Sequence, residues 1–402
     1  MRLLHLLPTL DPAAGGTVQA ARQSALAFSA LGHAVEIATL DAPDATWLSD
    51  APVRVQPLGP GRGIYGFAPH APVWLRRHAP RFDAVIVHGL WQYHGLAARQ
   101  ALRSLDVPYY VFAHGMLDPW FKHAFPLKHL KKWLYWPWGE YRVLRDARAV
   151  LFTTEEERLL ARQSFWLYRA RERIVPCATP APPADTARLR ALFLHRYPAL
   201  ATQRSILFLG RIHPKKGCDL LLEAFARVAP MEPRLHLLMA GTGDARIVAH
   251  LQALARELGI AARVTWTGLL QHDLKWGAFA ASDAFILPSH QENFGIAVTE
   301  ALASGTPVLI SDKINIWREV EADGAGFVAP DTIDGTLANL RRWLSLDRCD
   351  AERMRARARL AFSTRFAIEA HVRALLGVLE PDRRADAYAG GASSPHLASP
   401  CD

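Results

Sequence analysis

The sequence predicts an α/β protein built as two Rossmann-like domains, and three observations lead there. Apolar runs of strand length recur at 3–7, 34–39, 84–87, 109–112 and 150–153, then again at 205–209, 235–240, 264–267, 284–287 and 307–310. Loops rich in Gly, His or Pro follow most of these runs, and helical apolar spacing resumes after several of them, which is the rhythm of parallel β-α-β units. Between the two series, an extended stretch from Ile174 turns proline-rich through Pro183 and reads as an interdomain linker.

Size and composition fit that architecture. A chain of 402 residues, half of them hydrophobic, is long enough for two separate cores. Charged residues are 21 % and mean hydropathy is +0.01, values ordinary for a globular enzyme. Cys177, Cys218, Cys349 and Cys401 are scattered without a C-x-x-C pair, so neither a disulfide framework nor a zinc site is expected, and a reducing cytosol suits them. The opening MRLLHLL meets Asp11, Pro12 and a glycine pair too soon for a signal peptide and reads as a first strand. No charge-free apolar run of about 18 residues is present, so no membrane-spanning helix is expected. A net charge of +9 favours a negatively charged partner, with nucleic acid, anionic lipid and a phosphorylated substrate all open on charge alone.

In the first series, strand 3–7 leads through Gly15 and Gly16 into a helix at about 17–31. The glycine pair allows close approach of backbone to a ligand but is not the G-x-G-x-x-G dinucleotide fingerprint. Strands 84–87 and 109–112 are followed by His88 and, after Ala113, His114, at the carboxyl edge where open α/β sheets bind ligands. From 120 to 148 the chain alternates Lys122, Lys128, Lys131, Lys132, Arg142, Arg145 and Arg148 with eight aromatic residues. That pattern suits either a helix lying on anionic lipid or one whose aromatic face packs into its own domain. It carries no nucleic-acid-binding motif, and no nucleic acid partner is expected. Glu155–Glu157 then opens a helix at the end that favours negative charge.

In the second series, strand 205–209 ends in Gly210-Arg211, with Lys215, Lys216 and Gly217 just beyond. Arg supplies a forked donor set and Lys a point charge, together enough to neutralise a diphosphate, although Walker A spacing is absent. Strands 235–240 and 264–267 run into Gly241 and Gly268. Strand 284–287 is followed by SHQENFGIAVTEALASG, residues 289–305: a loop holding Glu292, Asn293, Phe294 and Gly295, then a helix from about Ile296 with Glu300 on its second turn. Free backbone N–H groups at that helix start suit a phosphate. The two carboxylates suit hydroxyls flanking it, a ribose on one side and a hexose on the other. That combination describes a nucleotide sugar.

Glu292 and Glu300 with Phe294-Gly295 between them and ALASGTPVL after them, together with G-R-x-x-x-x-K-G at 210–217, closely resemble the donor-site motifs of glycosyltransferase family 4 (glycosyl transferases group 1), enzymes of the GT-B fold. The resemblance covers nearly the whole chain to about Leu379 and is most specific in the second half. It implies two Rossmann-like domains facing across a cleft: an acceptor-side domain at 1–175, a linker at 176–184 and a nucleotide-sugar domain at 185–366. A final helix at about 367–379 would return to the first domain, and the polar tail 381–402 is expected to be disordered. The family reads V-P-N-G where this chain has Cys177-Ala178, a departure.

The implied function is retaining transfer of a hexose from a GDP- or UDP-linked sugar to a hydroxyl of a glycan or lipid-linked acceptor, without a metal or other cofactor. Polysaccharide or lipopolysaccharide synthesis is the expected setting. Arg211 and Lys216 would bind the diphosphate, Glu292 and the backbone at Asn293–Ile296 the transferred sugar, and Glu300 the ribose. Gly16 would border the phosphates, Gly241 and Gly268 would lie against the nucleotide, and His114 would bond the hexose or position the acceptor. Rival readings are a nucleotide-sugar epimerase of the same fold and a non-catalytic nucleotide-binding scaffold. A cytoplasmic location, peripheral on the inner membrane face, is expected.

Overall fold

The protein is described here by a computed structural model covering residues 1–390. Among the described residues, thirteen strands form two fully parallel sheets. The first contains β1 (Arg2–Leu7), β2 (Ala34–Thr39), β3 (Arg54–Pro57), β4 (Ala84–His88), β5 (Tyr109–Phe112), β6 (Ala149–Phe152) and β7 (Glu172–Ile174), in the order 3-2-1-4-5-6-7. The second contains β8 (Arg204–Leu209), β9 (Leu235–Ala240), β10 (Val264–Gly268), β11 (Ala284–Leu287), β12 (Val308–Ser311) and β13 (Gly326–Ala329), in the order 10-9-8-11-12-13. Each sheet reverses direction of winding once, between β1 and β4 and between β8 and β11, and such a switch point opens a crevice at the carboxyl ends of the strands.

The central strands are apolar on both faces because helices cover both, as parallel sheets require. Val85, Ile86 and Val87 of β4 and Phe285 and Ile286 of β11 are essentially inaccessible. Edge strand β3 is half-buried, β7 is mostly exposed, and both are polar in part, which is why their sequences do not read as strands.

Six helices position the site: α1 (Gly16–Ala30), α2 (Pro126–Tyr135), α3 (Cys218–Val228), α4 (His272–Ala281), α5 (Ile296–Ala303) and α6 (Ile368–Gly390). The last crosses back from the second domain and seats Val372, Leu375 and Leu379 in the core that lies between the first sheet and α1. It continues past Pro381, where the composition had suggested a disordered tail. The run Arg383–Ala389 is rich in good helix formers and extends the ladder. The remainder of the expected tail, 391–402, lies outside the described residues. Among the described residues no helix is long and apolar enough to cross a membrane.

The basic-aromatic stretch divides its side chains between core and surface. Trp136 is fully buried and stacks on Phe165 at a centroid distance of 4.5 Å. Lys132 turns inward, its Nζ 4.5 Å from the centre of the Trp91 ring, so it is no part of an outward basic face. On the other side of α2, Leu127, Leu130 and Leu134 are 77, 54 and 61 % exposed.

Candidate active site

The two sheets meet at their carboxyl edges, and a cavity of about 790 Å³ lies between α1 of the first domain and the β8 and β11 ends of the second. That volume is in the range of small-ligand sites. The first domain contributes Gly15, Gly16, Gln19, Arg22 and Gln23 along the start of α1, with Trp47 and Asp50 from the loop after β2. The second contributes Leu209, Gly210, Lys216, Leu287, Glu292, Gly295, Ile296 and Ala297.

The loop after β8 folds onto the end of β11. Gly217 holds φ 63° and ψ 34°, and a Cβ there would stand 2.3 Å from the carbonyl oxygen of Pro288, so only glycine allows the close approach that lets α3 begin at Cys218. This brings Lys216 beside Glu292, and Lys216 Nζ is salt-bridged to Glu292 Oε2 inside the cavity. Both side chains keep partial solvent access, so the pair can exchange partners with an entering anion. Glu292 is itself held by its backbone, which bonds to Lys313 and Asn315. Lys215 lies against the Trp120 ring, 5.5 Å from its centre, and burial lowers its ammonium pKa.

Gly295, at φ 76°, caps α5, and the helix start at Ile296 faces Gly16 across the cleft. Further links close the cleft at its inner end. Gln291 Nε2 donates to Asp118 Oδ2 at 2.7 Å, and Asn293 Nδ2 donates to Thr153 Oγ1 at 3.3 Å. Arg318 pairs with Glu156 at 2.7 Å.

Several expected site residues do not reach the cavity. Arg211 is exposed and outside the lining, because the buried Ile212 is bridged to Gly243 at the sheet edge and leaves its neighbour on the open side near His213 and Lys215. Gly241 serves the backbone: a Cβ there would sit 1.8 Å from the Gly210 carbonyl oxygen. Its N–H donates to the Gly268 carbonyl, tying the two glycine loops together, and neither glycine lines the cavity. Phe294 is buried against Phe366 and supports the loop from behind. Asn293 faces the first domain. Glu300 is almost fully buried, its Oε1 accepting from Lys275 Nζ of α4 at 2.6 Å. Burial raises its pKa, and the lysine opposes that rise.

His114 lies at the end of β5 with φ 49°, outside the lining of this cavity but at the domain junction, since its neighbour Gly115 packs on Asn293. Sequence reasoning overlooked Lys275 and Arg22. For Arg22 a signal existed: Gln19, Arg22 and Gln23 lie at helical spacing directly after the glycine pair, a polar face with no core to join.

Comparison with known proteins agrees with this architecture. Residues 195–361 match the family of glycosyl transferases group 1, and residues 15–178 match the glycosyl transferase 4-like domain. Over 195 residues the chain is 30 % identical to an alpha-D-kanosaminyltransferase of Streptomyces kanamyceticus, a match covering 48 % of this chain and 50 % of that protein. The chain thus spans about half the length of the curated relatives it matches. Among solved structures, the Anabaena HepE protein in complex with UDP and glucose superposes with a TM-score of 0.71 at 18 % identity, over 96 % of this chain and 99 % of that one. WaaG, a glycosyltransferase involved in lipopolysaccharide biosynthesis, does so with a TM-score of 0.64 at 18 % identity, over 97 and 100 %. With both halves matched and two parallel α/β domains facing across a cleft, the chain belongs to the group 1 glycosyl transferases of the GT-B fold.

Proposed function

We propose that the protein transfers a hexose from a nucleoside-diphosphate sugar to a hydroxyl of a glycan or lipid-linked acceptor, with retention of anomeric configuration. The observation that carries this reading is the Lys216–Glu292 pair, set in the cavity beside the open N-terminus of α5. An ammonium and free helix N–H groups suit the diphosphate, and the neighbouring carboxylate suits sugar hydroxyls once the diphosphate takes the lysine. Charge that develops on the leaving phosphate is then stabilised by groups already in place, without recourse to a metal ion. Among the described residues no side chain of the cavity stands out as a covalent nucleophile, which favours attack on the face the phosphate leaves, the phosphate itself helping to take the acceptor proton. Arg211, on the exposed side of the same loop, has a supporting electrostatic role.

The HepE complexes with UDP and glucose favour a uridine or similar diphosphate donor, and the resemblance to WaaG favours a glycan of the bacterial envelope. Thermal-shift measurements against a panel of nucleotide sugars identify the donor. Donor-only turnover separates a transferase from an epimerase, activity in EDTA tests metal independence, and NMR of the product anomer tests retention. If no nucleotide sugar raises the melting temperature, the reading fails.

Glu300 lies outside the cavity lining, and its proposed role at the ribose hydroxyls requires the nucleoside to extend past that cavity to the carboxylate that Lys275 now holds. Glu300→Gln is expected to raise the donor KM about tenfold, the scale of one hydrogen bond to a charged group, while leaving kcat nearly unchanged. An equal fall in kcat and kcat/KM would instead put Glu300 in the transition state.

The outward stripe Leu127, Leu130 and Leu134, with exposed Lys128 and Lys131 between them and exposed Trp138 beyond, fits a peripheral seat on anionic lipid at the cytoplasmic face. Changing Lys128 and Lys131 to Glu is expected to abolish preferential pelleting with anionic over neutral liposomes. Unchanged pelleting would remove this surface from the account.

A further inference from the structure

Three adjacent strands of the first sheet carry a row of histidines that ends beside the cleft. His5 Nδ1 is 2.8 Å from His88 Nε2, and His88 Nδ1 is 3.0 Å from His114 Nε2. The His5 and His88 rings lie edge to edge and 22° from coplanar, and those of His88 and His114 edge to edge and 17° from coplanar, with centroids 5.1 and 5.3 Å apart, so each nitrogen pair meets along the ring planes. His5 and His88 are buried and His114 is partly exposed. The groups around them are also imidazoles: His94 Nε2 reaches the His88 carbonyl oxygen at 2.9 Å, and His371 of α6 stacks over Phe112. Burial holds these rings neutral, with His114 lowered to about 4, and the neighbouring His371 adds to that lowering.

Neutral imidazoles have one donor and one acceptor nitrogen each, so the row can be wired in only two ways. If protons point from His114 toward His5, then His5 must carry a proton on Nε2, and that atom is buried without a partner. If they point from His5 toward His114, the unpartnered Nε2 is a bare lone pair. A buried unpaired N–H is the rarer and costlier outcome. His94 shows the second pattern: its Nε2 must donate to the His88 carbonyl oxygen, leaving Nδ1 as a lone pair without a partner. His371 is fixed likewise, with Nδ1 donating to the Pro176 carbonyl oxygen at 2.7 Å and Nε2 accepting from Ser24 Oγ at 2.8 Å.

We propose that His5 and His88 are positioning residues that wire His114 into its Nδ1–H tautomer, so that His114 offers an N–H donor, never an acceptor, at the junction of the two domains. Within the proposed function, on which this use rests, that donor serves an oxygen of the transferred sugar or of the acceptor. A ring free to exchange tautomers would offer it only part of the time. His88→Leu removes the wire, whereas His88→Asn retains an N–H near the Nδ1 position and restores it.

The test is NMR of protein labelled with ¹⁵N in histidine, in which couplings to the ring protons separate the tautomers and His114→Ala identifies the signal. The expected result is His114 protonated on Nδ1 in wild type and His88→Asn, and a mixture in His88→Leu. In parallel, kcat falls about tenfold in His88→Leu and recovers in His88→Asn, the scale of one neutral hydrogen bond. The acid limb of the pH profile moves upward in His88→Leu, because the bond to the neutral Nε2 no longer opposes protonation. An Nε2–H tautomer in the wild-type spectrum overturns the proposal even if the Leu variant does not fold, and so does a tautomer unchanged in His88→Leu. Full activity in His114→Ala, with the wild-type spectrum still showing the Nδ1–H form, would instead overturn the role of His114 in transfer.

Discussion

Replacement of Lys216 by Ala is expected to lower kcat by at least about 100-fold, the scale of losing one donor that stabilises developing charge. Lys216 is the cation that the loop after β8 delivers to the cavity, at the switch point between β8 and β11, and its ion-pair partner there, Glu292, is a group that a bound sugar would occupy. The melting temperature should change little, because the pair is partly solvated and such pairs contribute modestly to stability. Arg211→Ala should cost much less than Lys216→Ala, since Arg211 stands outside the cavity. Steady-state kinetics at saturating donor measures both. Unchanged turnover in Lys216→Ala, or a larger loss in Arg211→Ala, would show that the diphosphate lies elsewhere.

Acidification should unfold the protein through the buried histidines of the first domain and of α6. His5 is lowered to about 3, and His94, His114 and His371 to about 4, in each case first by burial. An unfolded chain takes up protons near 6.5, so between there and the folded values the unfolded state binds more protons and stability falls as pH falls. At pH 5 each such group costs on the order of 2 kcal/mol, and four of them approach the about 5–15 kcal/mol that holds a typical fold together. Glu140 works in the opposite direction. Burial raises its pKa to about 7 and also raises those of Glu157, Glu300 and Glu319, so their contribution is lost as pH rises from the unfolded value and, on acidification, offsets part of the histidine loss. Urea denaturation from pH 7 to 4.5 should show a steep loss of stability, flattened in His371→Asn. A midpoint constant over that range would mean these histidines are hydrated.

The central strands and the loops that line the cavity were legible in the sequence because both depend on local chemistry. Buried parallel strands must be continuously apolar, so β1, β4, β5, β8, β9, β11 and β12 announce themselves. Edge strands β3 and β7 bury one side only and do not. Lys216, Glu292, Gly295 and Ile296 were recognisable because the backbone geometry of two strand-loop-helix turns demands glycine at 217 and 295, whatever surrounds them. The helix at α2 was visible in outline, but which of its lysines face water was not.

What the sequence determined by itself was therefore the two-domain α/β plan and the loops that line the cavity, since spacing and glycine positions encode them locally. Only the tertiary structure decided that Lys216 meets Glu292, that Lys275 secures Glu300, that Arg211 stands aside and that His5, His88 and His114 form one bonded row. These pairs are separated by 76, 25 and 83 residues or arise from a single turn of backbone, and no local pattern fixes distances that strand order and domain closure set.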